Sequence, residues 1–187
     1  PLLYPEIDRL MDIIIQEGVK IVFTSAGSPK KWTPLLKSHG ITVVHVVSSA
    51  LFAKKCEEAG VDAIVAEGFE AGGHNGREET TTLTLIPNVA ASCSLPVIAA
   101  GGISSGKSVA ATMTLGAEGV QIGTRFAVAA ESSAHPAFKQ RVFNTEEGGT
   151  LLALKKLAPT RLIKNEFFNQ VKALEDAGAE AAQLTEL

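Results

Sequence analysis

Apolar residues recur in short, unbroken runs rich in β-branched side chains, and these runs alternate with longer stretches whose apolar residues lie three or four positions apart. The runs predict five strands, at 19–24, 41–47, 63–66, 96–100 and 119–123. Runs that are apolar throughout suit strands buried on both faces of a parallel sheet. The stretches between them predict five helices, at 7–17, 29–39, 50–59, 83–92 and 106–115. Several helices are followed by a glycine suited to a helix C-terminus, so the predicted unit is a helix followed by a strand.

Such a repeat closes into a barrel or forms an open, doubly wound sheet. The glycine-rich and polar loops all follow predicted strands, at 25–28, 48–49, 67–76, 101–102 and 123–125. A ligand site spread over nearly every strand end favours an α/β fold of the TIM (β/α)8 barrel class. Because such a barrel has eight strands and about 250 residues, we expect only its C-terminal five or so βα units, at 1–150. A C-terminal helical segment at 151–187 is expected to follow.

A partial barrel leaves an open seam. It would expose an unpaired strand edge and inward-facing apolar side chains, for which we expect Val22, Val44 and Ile98. The chain expressed alone is therefore expected to aggregate or to pair with another copy. The tail at 166–187 predicts an amphipathic helix that offers a contact for a homo-oligomer.

Composition narrows the function classes. A chain of 187 residues with 45% hydrophobic content forms one substantial core, and a net charge of −3 without a basic cluster argues against nucleic acid. The first residues lack the features of a signal peptide, and no apolar run is long enough to span a bilayer. We expect a soluble, cytoplasmic protein with no membrane partner. Cys56 and Cys93 lack metal-site spacing and are interpreted as buried apolar side chains.

A histidine set among close glycines is the strongest candidate for chemistry. His74 belongs to the segment at 66–76, which directly follows an apolar run at 61–65. The ordinary pKa of histidine, about 6.5, permits proton transfer near neutrality. Glu67 and Glu70 could orient His74 or bind a cation. The alternative is a flexible loop that carries a solvated histidine and solvated acids.

Two further loops indicate a phosphate site. Gly101 and Gly102 follow the fourth predicted strand, and Gly123 and Thr124 follow the fifth. Loops after the last two strands of a barrel commonly bind phosphate through backbone N–H groups, although each could also be a simple tight turn. Arg125 could pair with a phosphate or with an acidic neighbour. Neither GxGxxG nor GxxxxGK[ST] occurs, which disfavours Rossmann and Walker nucleotide sites.

The remaining histidines have structural interpretations. His39 lies at a predicted helix C-terminus, where the helix dipole favours it. His45 lies in a strand, either satisfied within the barrel wall or facing inward near an active site. His135 precedes Pro136 and is interpreted as a cap or an interface residue.

The glycine loops together resemble one family. The segments at 67–76, 96–103, 116–126 and 131–139 resemble the nitronate monooxygenases, also called 2-nitropropane dioxygenases. The same order of motifs resembles a sister group, the flavin-dependent enoyl-acyl-carrier-protein reductases. The resemblance extends from about residue 1 to residue 164. It implies a flavoprotein oxidoreductase with FMN bound in a TIM barrel, with residues 1–150 forming strands four to eight.

The resemblance also implies residue roles. It places His74 over the flavin. In a monooxygenase, His74 would be the base, or the group that orients a nitronate or nitroalkane that is oxidised with O2. In a reductase, it would position the nicotinamide donor or an enoyl thioester. The implied FMN-binding residues are Gly72, Gly73, Gly101, Gly102, Gly123, Thr124, Ser25 and Glu67. A simple turn is the alternative for Ser25. A different class of function, a non-flavin barrel that binds a phosphorylated ligand or an inactive remnant, is the other alternative, since backbone amides recognise a phosphate whatever carries it.

Overall fold

The computed structural model describes residues 1–187 and contains two sheets. In chain order the strands are β1 (Ile21–Thr24), β2 (Thr42–Val47), β3 (Ala63–Glu67), β4 (Gly73–His74), β5 (Val97–Ala100), β6 (Gly119–Gln121), β7 (Thr150–Ala153) and β8 (Thr160–Ile163). The larger sheet is parallel, in the order β1-β2-β3-β5-β6, and curls into a half-barrel. All five predicted strands are present in it, in sequence order, as successive right-handed crossovers require.

Helices precede or follow each strand of the parallel sheet. They are α1 (Ile7–Gln16), α2 (Thr33–Ser38), α3 (Ala50–Glu58), α4 (Thr82–Ala90), α5 (Gly106–Thr114), α6 (Thr124–Ala127), α7 (Pro136–Phe143), α8 (Glu166–Asp176) and α9 (Ala181–Thr185). The predicted helix at 29–39 is divided into a 3-10 turn at Pro29–Lys31 and α2. A continuous helix from residue 29 would need a backbone N–H at position 34, which a proline lacks, and Pro34 instead lies in the first turn of α2, where that N–H has no partner within the helix. None of the helices combines the length and apolar character of a membrane span.

The two faces of the parallel sheet carry different side chains. On the face toward the helices, Val22 and Ile64 belong to the main core, which also includes buried residues of α1 to α4. The opposite, concave face carries a smaller buried cluster made of strand residues alone, Val44, Val65 and Ala100. The concave face is therefore covered far less than the helix-facing one.

The prediction of inward-facing side chains is wrong for Val22 and right for Val44 and Ile98. Val22 is 8% exposed within the helix-facing core, whereas Val44 and the half-buried Ile98 lie in or beside the concave cluster. Because successive strand residues alternate between faces, Ile21 and Phe23 lie on the concave face, and they are 57% and 53% exposed. The open apolar surface expected of a partial barrel is thus supplied mainly by β1.

A second, antiparallel sheet was not predicted. Its strands lie in the order β4-β8-β7, so the short strand that carries the glycine–histidine loop pairs with the C-terminal region. The expectation of a helical segment holds for only part of 151–187, because this segment contains most of β7 and all of β8 before α8. The predicted helix at 166–187 is also interrupted between α8 and α9, where Gly178 has a φ of 81° that a helix does not allow. The division into two regions at residue 150 stays a prediction.

Candidate active site

A cavity of about 270 Å³ lies at the carboxyl ends of β3, β5 and β6. Six predicted site residues line it: Glu67, Gly72, Gly101, Gly102, Gly123 and Thr124. They come from three separate strand exits, and the parallel pairing of β3 with β5 and of β5 with β6 brings them together. The volume is just below the range of about 300–1,000 Å³ typical of small-molecule sites, so the cavity suits one end of a cofactor-sized ligand.

The backbone amides of three lining glycines have no partner within the protein. The N–H groups of Gly101, Gly102 and Gly123 donate to no backbone carbonyl or side chain. Gly101 and Gly102 have φ angles of 98° and 69°, and Gly123 is the N-cap of α6. Unpaired amides at a strand exit and at the start of a helix are the donors that commonly bind phosphate oxygens. The exposed Arg125 lines the same cavity and adds a positive charge.

Two glycines near the cavity have a packing role that sequence reasoning missed. A Cβ on Gly68 would lie 2.1 Å from Thr82 Oγ1, and a Cβ on Gly101 would lie 2.5 Å from the carbonyl oxygen of Gly68. Thr82, the first residue of α4, donates from Oγ1 to the Gly101 carbonyl at 2.8 Å. Its amide N–H donates to the Glu70 carboxylate at 2.9 Å. Glu70 therefore stabilises the start of α4 and is neither a free loop acid nor a partner of His74.

His74 lies in β4, two residues beyond Gly72 of the cavity lining and outside that lining itself, with an exposed side chain. The loop that carries His74 is hydrogen-bonded to the second sheet and is not a free surface loop. The Asn75 amide donates to the Pro159 carbonyl at 2.8 Å. Arg161 donates from Nη2 and Nε to the Phe69 carbonyl at 2.8 and 3.1 Å, and its guanidinium lies over the Phe69 ring. The second sheet thus fixes the backbone that carries the histidine.

Asn75 supports the same loop from inside. Its Nδ2 donates to the carbonyls of Ala71 and Gly73, at 2.9 and 2.8 Å. Its Oδ1 is buried without a hydrogen-bond partner. The side chain therefore closes the turn between the cavity and His74, and one buried acceptor remains beside it.

Glu67 ends β3 and is half-buried. Burial raises the pKa of its carboxyl group above the ordinary value, because a low-polarity environment disfavours the charged form. Glu67 lines the cavity and also a smaller cleft beside it, together with Ser48 and Glu78.

Ser25 is not brought to the cavity. It follows β1, and β2 and β3 separate that strand from β5. Its carbonyl accepts from the Leu2 amide at 2.7 Å, so the turn at Ser25 is packed against the start of the chain. Gly73 lies in β4 beside His74 and likewise does not line the cavity.

The other histidines and the cysteines have structural roles. His135 Nδ1 accepts from the Ala137 amide at 3.1 Å and caps α7, which confirms the capping interpretation. His39 is the C-cap of α2, with Nδ1 3.0 Å from the Leu35 carbonyl. Cys56 is buried, and burial raises the pKa of its thiol to about 11, while Cys93 is half-buried.

His45 belongs to the wall and not to the active site. It is 4% exposed, and its Nδ1 lies 2.7 Å from the Thr24 hydroxyl of the neighbouring strand. Its neighbours Val44 and Val46 belong to the concave side, so alternation directs His45 toward the helices.

Sequence reasoning missed several lining residues, among them Gln121 and Ser104. Gln121 carried a usable signal, because it lies two residues before Gly123 and side chains two apart in a strand share a face. Ser104 carried no signal distinct from its role in the turn before α5.

Comparison with known proteins places these observations in a family. A family model described as nitronate monooxygenase matches residues 5–186. A probable nitronate monooxygenase of Staphylococcus saprophyticus is 34% identical over 177 residues, which cover 89% of this chain and 50% of that protein. Another from Bacillus subtilis is 39% identical over 150 residues, covering 76% of this chain and 43% of that protein. The chain therefore spans about half the length of these curated relatives.

Solved structures give the same fold. FabK from Thermotoga maritima superposes with a TM-score of 0.92 at 40% identity, over 99% of this chain and 58% of that one. Nitroalkane oxidase from Streptomyces ansochromogenes superposes with a TM-score of 0.78 at 27% identity, over 94% of this chain and 52% of that one. The predicted fold class, a partial TIM barrel, is confirmed.

Proposed function

The chain belongs to the nitronate monooxygenase family, and from this premise we propose that it forms the FMN-binding half of an oxidoreductase that oxidises nitronates or nitroalkanes with O2. The observation that carries the proposal is the cavity lined by Glu67, by glycines of three strand exits and by Thr124. The flavin enzymes among its relatives support a flavin as the ligand.

The residues present fit a cofactor that ends in a phosphate. The unpaired amides of Gly101, Gly102 and Gly123 would hold the phosphate oxygens, and the Thr124 hydroxyl and Arg125 guanidinium would supply further donors. Gly72 lies beside Thr124, where an added Cβ would be 3.5 Å from the threonine Oγ1, so the cofactor could approach the backbone there. Glu67, at the exit of β3, would contact the part of the cofactor that bears the ring. Bound FMN would supply the electron-transfer chemistry that no side chain can.

His74 is the proposed base. A nitroalkane must lose the proton on the carbon next to its nitro group to become a nitronate, and an imidazole at hydrogen-bonding distance can accept that proton near neutral pH. With a nitronate as substrate, the same ring would orient the anion. The contacts of Arg161 and Asn75 with the loop would keep the imidazole in place during this step.

The phosphate part of the proposal has a direct test. The substitution Arg125→Gln removes the guanidinium charge. It should weaken FMN binding several-fold and leave riboflavin binding unchanged, because riboflavin lacks the phosphate. Fluorescence titration of both ligands measures this. Arg9→Gln, which removes an exposed arginine on α1, is the matched control. Equal weakening of both ligands by Arg125→Gln would contradict a phosphate at this end of the cavity.

A second activity has a specific observation in its favour. The FabK structure is more similar to this chain than the nitroalkane oxidase structure, in both identity and TM-score, and it fits the flavin-dependent enoyl-acyl-carrier-protein reductase alternative. Oxygen uptake with propyl nitronate in the absence of NADH supports the monooxygenase. NADH consumption with a crotonyl thioester supports the reductase. A purified protein that is colourless and cannot be reconstituted with FMN contradicts both and favours a non-flavin phosphate ligand.

A further inference from the structure

Glu67 occupies an unusual place for a carboxyl group. Val65, two residues earlier in β3, belongs to the concave cluster, so alternation places the Glu67 side chain on the same face. It lines both the 270 Å³ cavity and the smaller cleft, where Ser48 and Phe69 are its neighbours. Any ligand that fills the cavity therefore covers this side chain.

No group in the protein stabilises a negative charge on Glu67. Its carboxyl group takes part in no hydrogen bond and no ion pair, and burial alone shifts its pKa, upward. The charged groups of the cavity are Glu70 and Arg125. Glu70 is already engaged by the start of α4, and Arg125, on α6, is exposed to solvent and forms no ion pair with Glu67.

The groups of the smaller cleft do not help either. They are two further carboxylates, Glu78 and Glu79. Glu78 accepts from the Ser48 hydroxyl at 3.2 Å, and Glu79 is paired with Lys155 at 2.5 Å. No lysine, arginine or histidine lines this cleft, so it offers an ionised Glu67 no counter-ion. A ligand that enters the cavity would also remove the remaining water from the carboxyl group, which disfavours its charged form.

We propose that Glu67 meets the flavin as a neutral carboxylic acid that donates a hydrogen bond to an acceptor atom of the ring system, so that cofactor binding takes up a proton. The inference rests on the proposed function, since it requires FMN in the cavity. A carboxylate offers only acceptors, whereas a carboxylic acid has one O–H donor, and a flavin ring presents carbonyl oxygens and ring nitrogens along its edge.

The direction of the pH effect follows from linkage. Covering Glu67 raises the pKa of its carboxyl group further, so at a pH between the values of the free and the bound protein the complex holds one proton more. Over that window the Kd for FMN rises with pH, by up to about tenfold per pH unit. Below the window, Glu67 is protonated in both states and contributes no slope.

The test compares FMN binding by the wild type, Glu67→Gln and Glu78→Gln from pH 5 to pH 8. Glutamine keeps a hydrogen-bond donor but cannot ionise, so Glu67→Gln should bind FMN at high pH more tightly than the wild type and lose the excess slope. Glu78→Gln makes the same change at an exposed acid of the cleft, and this variant should keep the excess slope of the wild type. Ionisation of the FMN phosphate, with a pKa near about 6, affects all three proteins equally and cancels in the comparison.

Calorimetry in two buffers of different ionisation enthalpy counts the protons taken up on binding. The wild type should take up more protons than Glu67→Gln, by up to one per FMN within the window. Equal proton uptake and equal slopes in these two proteins would overturn the inference while leaving the proposed cofactor intact. FMN binding by neither protein at any pH would overturn both. If Glu67→Gln does not fold, proton uptake by the wild type above that expected for the phosphate alone decides the question.

Discussion

At the scale of single residues, turnover is expected to depend most on His74. The substitution His74→Ala should lower turnover by roughly 10²-fold or more if the imidazole acts as a general base. FMN should remain bound, because His74 does not line the cavity.

His74→Asn should restore part of the activity only if the role of His74 is hydrogen bonding to the substrate. Oxygen-uptake kinetics and FMN titration measure both effects, and His39→Ala, at the exposed C-cap of α2, is the control. Unchanged turnover in His74→Ala would make His74 an ordinary solvated side chain.

His45 makes stability depend on pH. Burial lowers the pKa of its imidazole from 6.5 to about 4. The unfolded chain therefore binds a proton between these values that the folded chain does not, so stability is complete above pH 6.5 and falls as the pH drops toward 4. The expected loss is about 2 kcal/mol between pH 7 and pH 5.

Urea denaturation at both pH values measures this loss. His45→Gln should be less stable at pH 7, because the contact with the Thr24 hydroxyl changes, but its stability should vary less between the two pH values. His39→Gln, at an exposed position, should retain the wild-type dependence. The same pH dependence in His45→Gln and in the wild type would show that other groups cause it.

At the scale of helices and strands, local signals account for what the sequence predicted. Each unit of the parallel sheet has an apolar run and a helical stretch, and α1, α2, α3 and α5 are followed by glycines with positive φ, namely Gly18, Gly40, Gly60 and Gly116. The second sheet has no such signal. β4 contains two residues, and its loop meets β8 through Arg161 and Phe69, 92 residues apart. The cavity likewise could be predicted only in part. The glycines that follow the strands could be recognised in the sequence, but the contact of Gly68 with Thr82 depends on how the folded chain packs.

The junction between β3 and the start of α4 should not tolerate a side chain at position 68. Gly68→Ala places a Cβ 2.1 Å from Thr82 Oγ1 and 2.4 Å from the Thr82 backbone nitrogen. The backbone at position 68 or at Thr82 must then move, and the free energy of unfolding should fall by about 2–4 kcal/mol. The matched change Gly106→Ala, in α5 with nothing within 4 Å of the added atom, should be neutral or stabilising by up to about 1 kcal/mol. Urea denaturation compares the two, and similar stabilities would show that the junction relaxes.

At the scale of the whole molecule, the concave face decides how the 187-residue chain behaves alone. Ile21 and Phe23 are more than half exposed there, and β1 is an edge of the sheet. Fully burying such a side chain contributes about 1.5–3 kcal/mol, and an unpaired strand edge offers backbone groups to a second copy. We therefore expect the isolated chain to self-associate, and light scattering coupled to size-exclusion chromatography measures this over a range of concentrations.

Introducing a charge on the concave face should distinguish association through that face from non-specific aggregation. Phe23→Lys should shift the isolated chain toward monomer, because the ammonium group must lose its water in any contact that buries the face. Leu83→Lys makes the same change at a 68% exposed position on α4, away from that face, and should leave association unchanged. If the wild-type chain is monomeric at every concentration and unfolds in one cooperative thermal transition, the curled sheet is stable without a partner for its concave face, and the energetic argument from Ile21 and Phe23 is wrong.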